Sequence, residues 1–268
     1  MRLRRLLALL VFGLALPAAP AGAEAMLARY EVRVAGLLVL RMEALFDLDG
    51  PRYLIRARIR SAGLAGALAS SDQITSAEGA WRGADPVPLR FLAEGSWRGS
   101  PRQVVLDYAL PGRPQLRALE PPNGTEWEVV PEPLRHGTMD TLSALAKLAR
   151  IVALTGRCDT EAAVFDGRRR ADYTVRTAGT ERLALEGAFA GEALRCAFEG
   201  RVIAGFRTGH DPEEARRPHP ATAWLARPLP GQAPLPVRVE LASRWFGTVR
   251  VVLVGVQPLR QEIAEQRR

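Results

Sequence analysis

The chain has 268 residues, 47% of them hydrophobic, and a formal charge of +8. That length and apolar content suffice for one large β domain or two small ones with a real core. The positive charge is almost all arginine, Lys147 being the only lysine; without aromatic-basic interleaving or an RNA-binding signature it argues against a nucleic-acid partner, while suiting anionic head groups or acidic polymers.

Arg2, Arg4 and Arg5, the apolar run Leu6 to Leu16 and the triplet Ala21-Gly22-Ala23 have the three-part design of a secretory signal peptide. Residues 1–23 are therefore expected to be a leader cleaved after Ala23, sending the chain to the periplasm. The run is too short for a spanning helix, and Pro17 interrupts it. No second long apolar stretch follows, so no transmembrane segment and a soluble mature chain are expected. The leader holds three of the positive charges.

The mature chain opens on a meander. In Tyr30 to Val34 apolar residues alternate with charged ones, the period of a half-buried strand. Leu38 to Leu48 reads as a second strand, Asp49-Gly50-Pro51 as a turn, and Tyr53, Ile55, Ala57 and Ile59 share a face opposite Arg56, Arg58 and Arg60. After a small-residue loop, strands are expected at Gln73–Trp81, Pro88–Trp97, Gln103–Ala109, Gln115–Leu119 and Thr125–Val130. One principal helix is predicted at 138–154. Thr138 or Asp140 caps it, Leu142, Leu145, Leu148, Ala149 and Val152 form its apolar face, and Gly156 ends it.

Further strands are expected at Ala162–Phe165, Ala171–Thr177, Arg182–Glu186 and Ala193–Ile203. A polar loop follows over 207–220, then strands at Pro236–Arg244 and Thr248–Val256 around a Trp245-Phe246 hairpin. The pattern is mainly β: an antiparallel meander forming a curved sheet or incomplete barrel with the helix packed against it. Residues 24–257 are expected to form a single domain, with 258–268 a charged tail.

Cys158 and Cys196 are the only cysteines; in an oxidising compartment they read first as a disulfide, with a thiol nucleophile or a zinc ligand pair as alternatives. In "VFDGRRRADY", Asp166-Gly167 signals a two-residue type I′ hairpin. Arg168 and Arg170 would share a charged face, in water or as a guanidinium pair for an anion.

The stretches "MDTLSAL", "VFDGRRRADY", "VIAGF" and "LPVRVEL", with the cysteine pair, resemble a bacterial family known as domain-of-unknown-function family 3108. The resemblance runs from about Tyr30 to Val256. It implies a secreted envelope protein with a largely β domain and no established activity, and it transfers no catalytic residue. Thr141 stands where that family commonly has proline.

His136, beside the helix start, is the best general-base candidate; with Asp140 or Ser143 it would imitate a hydrolytic pair, but no recognised catalytic motif accompanies it. His210 and His219 share a loop with acids that could hold a metal or simply face water. No catalytic residue, metal site or cofactor is assigned. Arg168, Arg170, His136 and Asp140 stand as ligand-binding candidates. The favoured reading is a carrier whose groove between sheet and helix takes a lipid or other amphiphile. The alternative is an envelope scaffold meeting a protein partner through a sheet edge or the Trp245-Phe246 tip; a hydrolase ranks below both.

Overall fold

The computed structural model describes residues 24–63, 66, 70–124, 126–243 and 247–259. The leader over 1–23, the Trp245-Phe246 tip and the tail from 260 lie outside the described residues. Seven strands come first: β1 (Met26–Val34), β2 (Leu37–Asp47), β3 (Arg52–Ser61), β4 (Ser71–Arg82), β5 (Asp85–Trp97), β6 (Ser100–Leu110) and β7 (Arg113–Glu120). A connection carries the four-residue α1 (Glu132–Arg135) and the long α2 (Thr141–Thr155). Then come β8 (Thr160–Phe165), β9 (Arg170–Leu185), β10 (Phe189–Ala204), the short α3 (Pro212–Arg216), β11 (His219–Ala226), β12 (Leu235–Ser243) and β13 (Gly247–Pro258).

All thirteen strands form one antiparallel sheet in the order β7-β6-β5-β4-β3-β2-β1-β13-β12-β11-β10-β9-β8. The β1–β13 pair joins two meanders, with Tyr30 opposite Leu253. The sheet curls into a nearly closed barrel because one face is apolar throughout. In β3, Tyr53, Ile55 and Ala57 are buried and the intervening arginines are not. A single core cluster unites Phe46, Tyr53 and Ile55 with Trp224, Leu235 and Leu253 from the far half, and with Ala146 and Ala149 of α2. The helix thus lies inside the curl.

The connection also ties the two edge strands together. Met139 adds to the β8 edge, its N–H donating to Ala163 O (2.9 Å) and its carbonyl accepting from Phe165 N–H (2.9 Å). Gly137 N–H reaches Gly112 O in the β6–β7 turn (2.7 Å). An edge covered this way is closed to further strand pairing.

The helix starts at Thr141 rather than Thr138, since Met139 is held as a bridge to Val164. Among the described residues of 125–130 no strand forms, and Trp127 makes one isolated bridge to Arg207. The segments expected as two strands at 171–177 and 182–186 are one, because β10 pairs with β9 from Arg170 to Leu185, absorbing a register shift between Leu194 and Cys196. A strand was not foreseen at 219–226. Residue 258 closes β13 opposite Met26, and Leu259 N–H bonds Ala25 O (2.8 Å). Among the described residues no helix is long and apolar enough to cross a membrane.

Candidate functional site

Three cross-strand ladders on the inner face of β8–β12 define a groove. The outermost runs Ala162–Tyr173–Gly200–His219, the next Thr160–Val175–Phe198–Ala221, and the third Thr177–Cys196–Ala223–Val239. Above them lies the α2 stripe Thr141, Ala144, Leu145 and Leu148, at the i, i+3, i+4, i+7 spacing of one helix face. Between stripe and ladders is a cavity of about 270 Å³ with nearly all-apolar walls. It stays open because Ala144, Ala162, Gly200, Ala221 and Ala223 are too short to reach across.

The disulfide closes one end. Cys158 and Cys196 are bonded, their Cα atoms 5.8 Å apart, and neither is accessible to solvent. They pack with Leu148, Val152 and Leu225 at the level of the third ladder, to which Cys196 belongs. Cys158 N–H is held by Thr177 Oγ1 (2.9 Å), which in turn donates to Asp159 (2.7 Å). The other end is open: Thr141, Tyr173 and His219 are exposed at its rim.

On the opposite flank of α2 the interior is filled. Asp140 caps the helix, accepting from Ser143 N–H (2.8 Å) and Ser143 Oγ–H (2.5 Å). Since Ser143 Oγ gives its proton to the carboxylate, Tyr53 OH donates to Ser143 Oγ (2.7 Å). The Tyr53 ring packs on Trp81 at 4.8 Å, and Trp81 lies under the Arg150 guanidinium. Gly79 permits this fit, since a Cβ there would meet Tyr53 OH at 2.4 Å. Burial raises the Asp140 carboxyl to about 6, against the opposing pull of the Ser143 hydrogen bonds. Burial also raises Tyr53 and Tyr108, and the nearby Asp140 charge adds to both shifts. Asp140 and Ser143 are wholly enclosed, so no substrate reaches this hydroxyl in the structure.

The four ligand-binding candidates are therefore dispersed. His136 caps α1 with a half-exposed ring 3.9 Å from Glu132, whereas Asp140 is enclosed in the core. The Asp166–Arg169 turn has four residues, not two: Phe165 pairs with Arg170, and Asp166 Oδ1 accepts from the Arg168 and Arg169 amides. Gly167 takes φ +91°, and a Cβ there would strike Val104 of β6 at 2.3 Å. Arg168 thus leaves the strand face; its guanidinium donates to Pro121 O (2.9 Å) and Glu120 O (2.6 Å), strapping this turn to the end of β7. Burial and the neighbouring Arg102 charge lower its pKa. Arg170 donates to Leu134 O (3.1 Å) and Ala171 O (2.7 Å) and pairs with Asp172. The structure does not present these two arginines as a paired fork.

His210 lies on the loop before α3 and His219 opens β11. Among the described residues no three His, Cys, Asp or Glu side chains gather as a metal site. Sequence reasoning placed a groove between sheet and helix but missed its walls. The one local signal for them is the alternation of Ala171, Tyr173 and Val175 with charged or polar neighbours along β9.

Among curated proteins none matches the chain. Among solved structures, the crystal structure of a β-barrel-like protein of the domain-of-unknown-function family DUF1849 from Brucella abortus is similar. Its TM-score is 0.56 at 17% identity, covering 88% of this chain and 98% of that one. That likeness is one of fold. The family described as a protein of unknown function, DUF3108, matches residues 29–254; with most of the chain inside that match, this protein belongs to the DUF3108 family.

Proposed function

We propose that this DUF3108 protein is an exported, periplasmic binding protein whose groove holds the hydrocarbon chain of an amphiphile. The observation that carries the reading is the apolar cavity of about 270 Å³ between α2 and β8–β12. Ligand clefts run from about 300 to 1,000 Å³, so this one suits a single acyl chain rather than a multi-chain lipid. The Cys158–Cys196 bond supports an oxidising compartment, in keeping with the leader read over 1–23.

Native mass spectrometry of the protein purified from its own periplasm tests this. A population carrying the added mass of a single-chain amphiphile is expected, and Ala221→Phe, which fills the second ladder, should abolish it. Bare chains only, or a second copy of the chain as the sole adduct, would overturn the reading.

A further inference from the structure

Resting on that reading, we propose that the groove mouth selects an anionic oxyacid head group, a carboxylate or phosphate, with His219 and the Tyr173 hydroxyl as the recognising groups and the tail pointing at the disulfide.

The orientation follows from the ends of the groove. At the inner end Leu148, Ala223 and Val239 form an apolar wall, backed by the buried cluster of Cys158, Cys196, Val152 and Leu225. Its polar lining gathers toward the mouth: the exposed Thr141, Tyr173 and His219, with Thr160 one ladder further in. A hydrocarbon tail gains by entering the apolar end, whereas a charged head group must keep water or charged partners. Head outward is the arrangement that satisfies both.

The sign of the head group follows from what lines the mouth and what does not. Among the described residues no acidic side chain lines the groove. The acids flanking the first two ladders, Glu161, Asp172 and Glu199, occupy positions that alternate with the lining residues and are paired with Arg176, Arg170 and Arg201, and Asp166, in the turn near Tyr173, is paired with Arg169. On β11, His219 Nδ1 lies 2.5 Å from Arg217 O. A carbonyl only accepts, so Nδ1 carries the proton and Nε2 is left for a head group, as a donor in the imidazolium form. Gly200 lies between His219 and Tyr173 in the first ladder. A Cβ there would come within 2.8 Å of the Tyr173 ring, so glycine lets that ring lie over β10, the strand between Tyr173 and His219. The Tyr173 hydroxyl, and His219 Nε2 when the ring is protonated, thus stand as donors on either side of a residue with no side chain.

The test is competition against N-phenyl-1-naphthylamine, a neutral fluorescent probe of apolar sites, with dodecanoate, dodecyl phosphate, dodecanol and dodecyltrimethylammonium as competitors. Dodecanoate and dodecyl phosphate should compete about tenfold better than dodecanol, the equivalent of one charged hydrogen bond, and the cationic amphiphile worst. In His219→Ala the dodecanoate-to-dodecanol ratio should fall to about two, with a smaller fall in Tyr173→Phe. If the probe binds and Ala221→Phe removes it, yet all four amphiphiles compete equally, the head-group inference is overturned and the groove reading stands. Probe binding that is absent, or indifferent to Ala221→Phe, overturns both.

Discussion

The two flanks of α2 are built from one helix but solve opposite problems. Toward β3–β5 the helix shows Ser143, Ala146 and Ala149, and large side chains from the sheet, Phe46, Tyr53, Ile55 and Trp81, come up to meet them. Toward β8–β12 it shows Thr141, Ala144, Leu145 and Leu148, and between Tyr173, Val175 and Phe198 the sheet answers with the short residues Ala162, Gly200, Ala221 and Ala223. Large side chains meeting small ones give a solid interior; short residues beneath the helix leave space. The filled flank is secured by packing and a polar chain, the open flank by a covalent link at its foot. A cavity in a folded interior forfeits dispersion contacts, which makes that link more consequential where packing is thin.

The largest expected effect comes from cutting that link. Cys158→Ala with Cys196→Ala opens a loop with a sequence separation of 38, and the loss of loop-closure restraint should cost about 4 kcal/mol. Urea unfolding of the oxidised protein and the double variant measures it through the midpoint at constant slope. A loss below about 1 kcal/mol would mean that the open flank holds itself together by packing alone, and the contrast between flanks would fail.

The filled flank has its own vulnerability, and it depends on pH. The Asp140 carboxyl is raised from 3.8 to about 6 in the folded protein. Between those values the native state binds more protons than the unfolded chain, so stability from this group is full below about pH 4 and is lost as pH rises through 6. At about 1.4 kcal/mol per unit the total is up to about 3 kcal/mol. Asp140→Asn keeps a capping oxygen but does not titrate. Comparing its denaturation free energy with the wild type at pH 4 and pH 7 should show the variant gaining by up to that amount. Parallel pH curves would show that the enclosed carboxylate bears no such cost.

Much of this architecture was legible in the sequence because water lies on one side of the sheet. Tyr53, Ile55 and Ala57 alternate with arginine, and a half-buried strand imposes that pattern. Asp140 before a leucine stripe marked the true cap of a helix that starts three residues later than the expected 138, and an even pair of cysteines, read with the expected leader, marked the bond. Where the environment is uniform the signal vanishes. In β11, Ala223, Trp224, Leu225 and Ala226 are all buried, so no alternation betrayed the strand. Nor could local pattern show that Asp140 would meet Tyr53 through Ser143, 90 residues apart. The groove was hardest of all. Its emptiness is a property of registers: Gly200, Ala221 and Ala162 are unremarkable singly and make a hollow only when the ladders align them beneath α2.

A matched pair of substitutions sharpens the comparison with the smallest expected effect. Ala149 is 1% exposed and packs in the filled cluster; Ala144, on the same helix, faces the cavity. Leucine at either position adds the same three carbons and changes helix propensity little. At 149 there is no room, so side chains must leave their rotamers, and a loss of about 2 kcal/mol is expected. At 144 the added carbons enter existing space, and burying them should leave stability unchanged or raise it by up to about 1 kcal/mol, while N-phenyl-1-naphthylamine binding is lost. Thermal melts of Ala149→Leu and Ala144→Leu beside wild type read both signs at once. Equal destabilisation would mean that the groove is closed in solution, because only an interior already packed on both flanks penalises the two leucines alike.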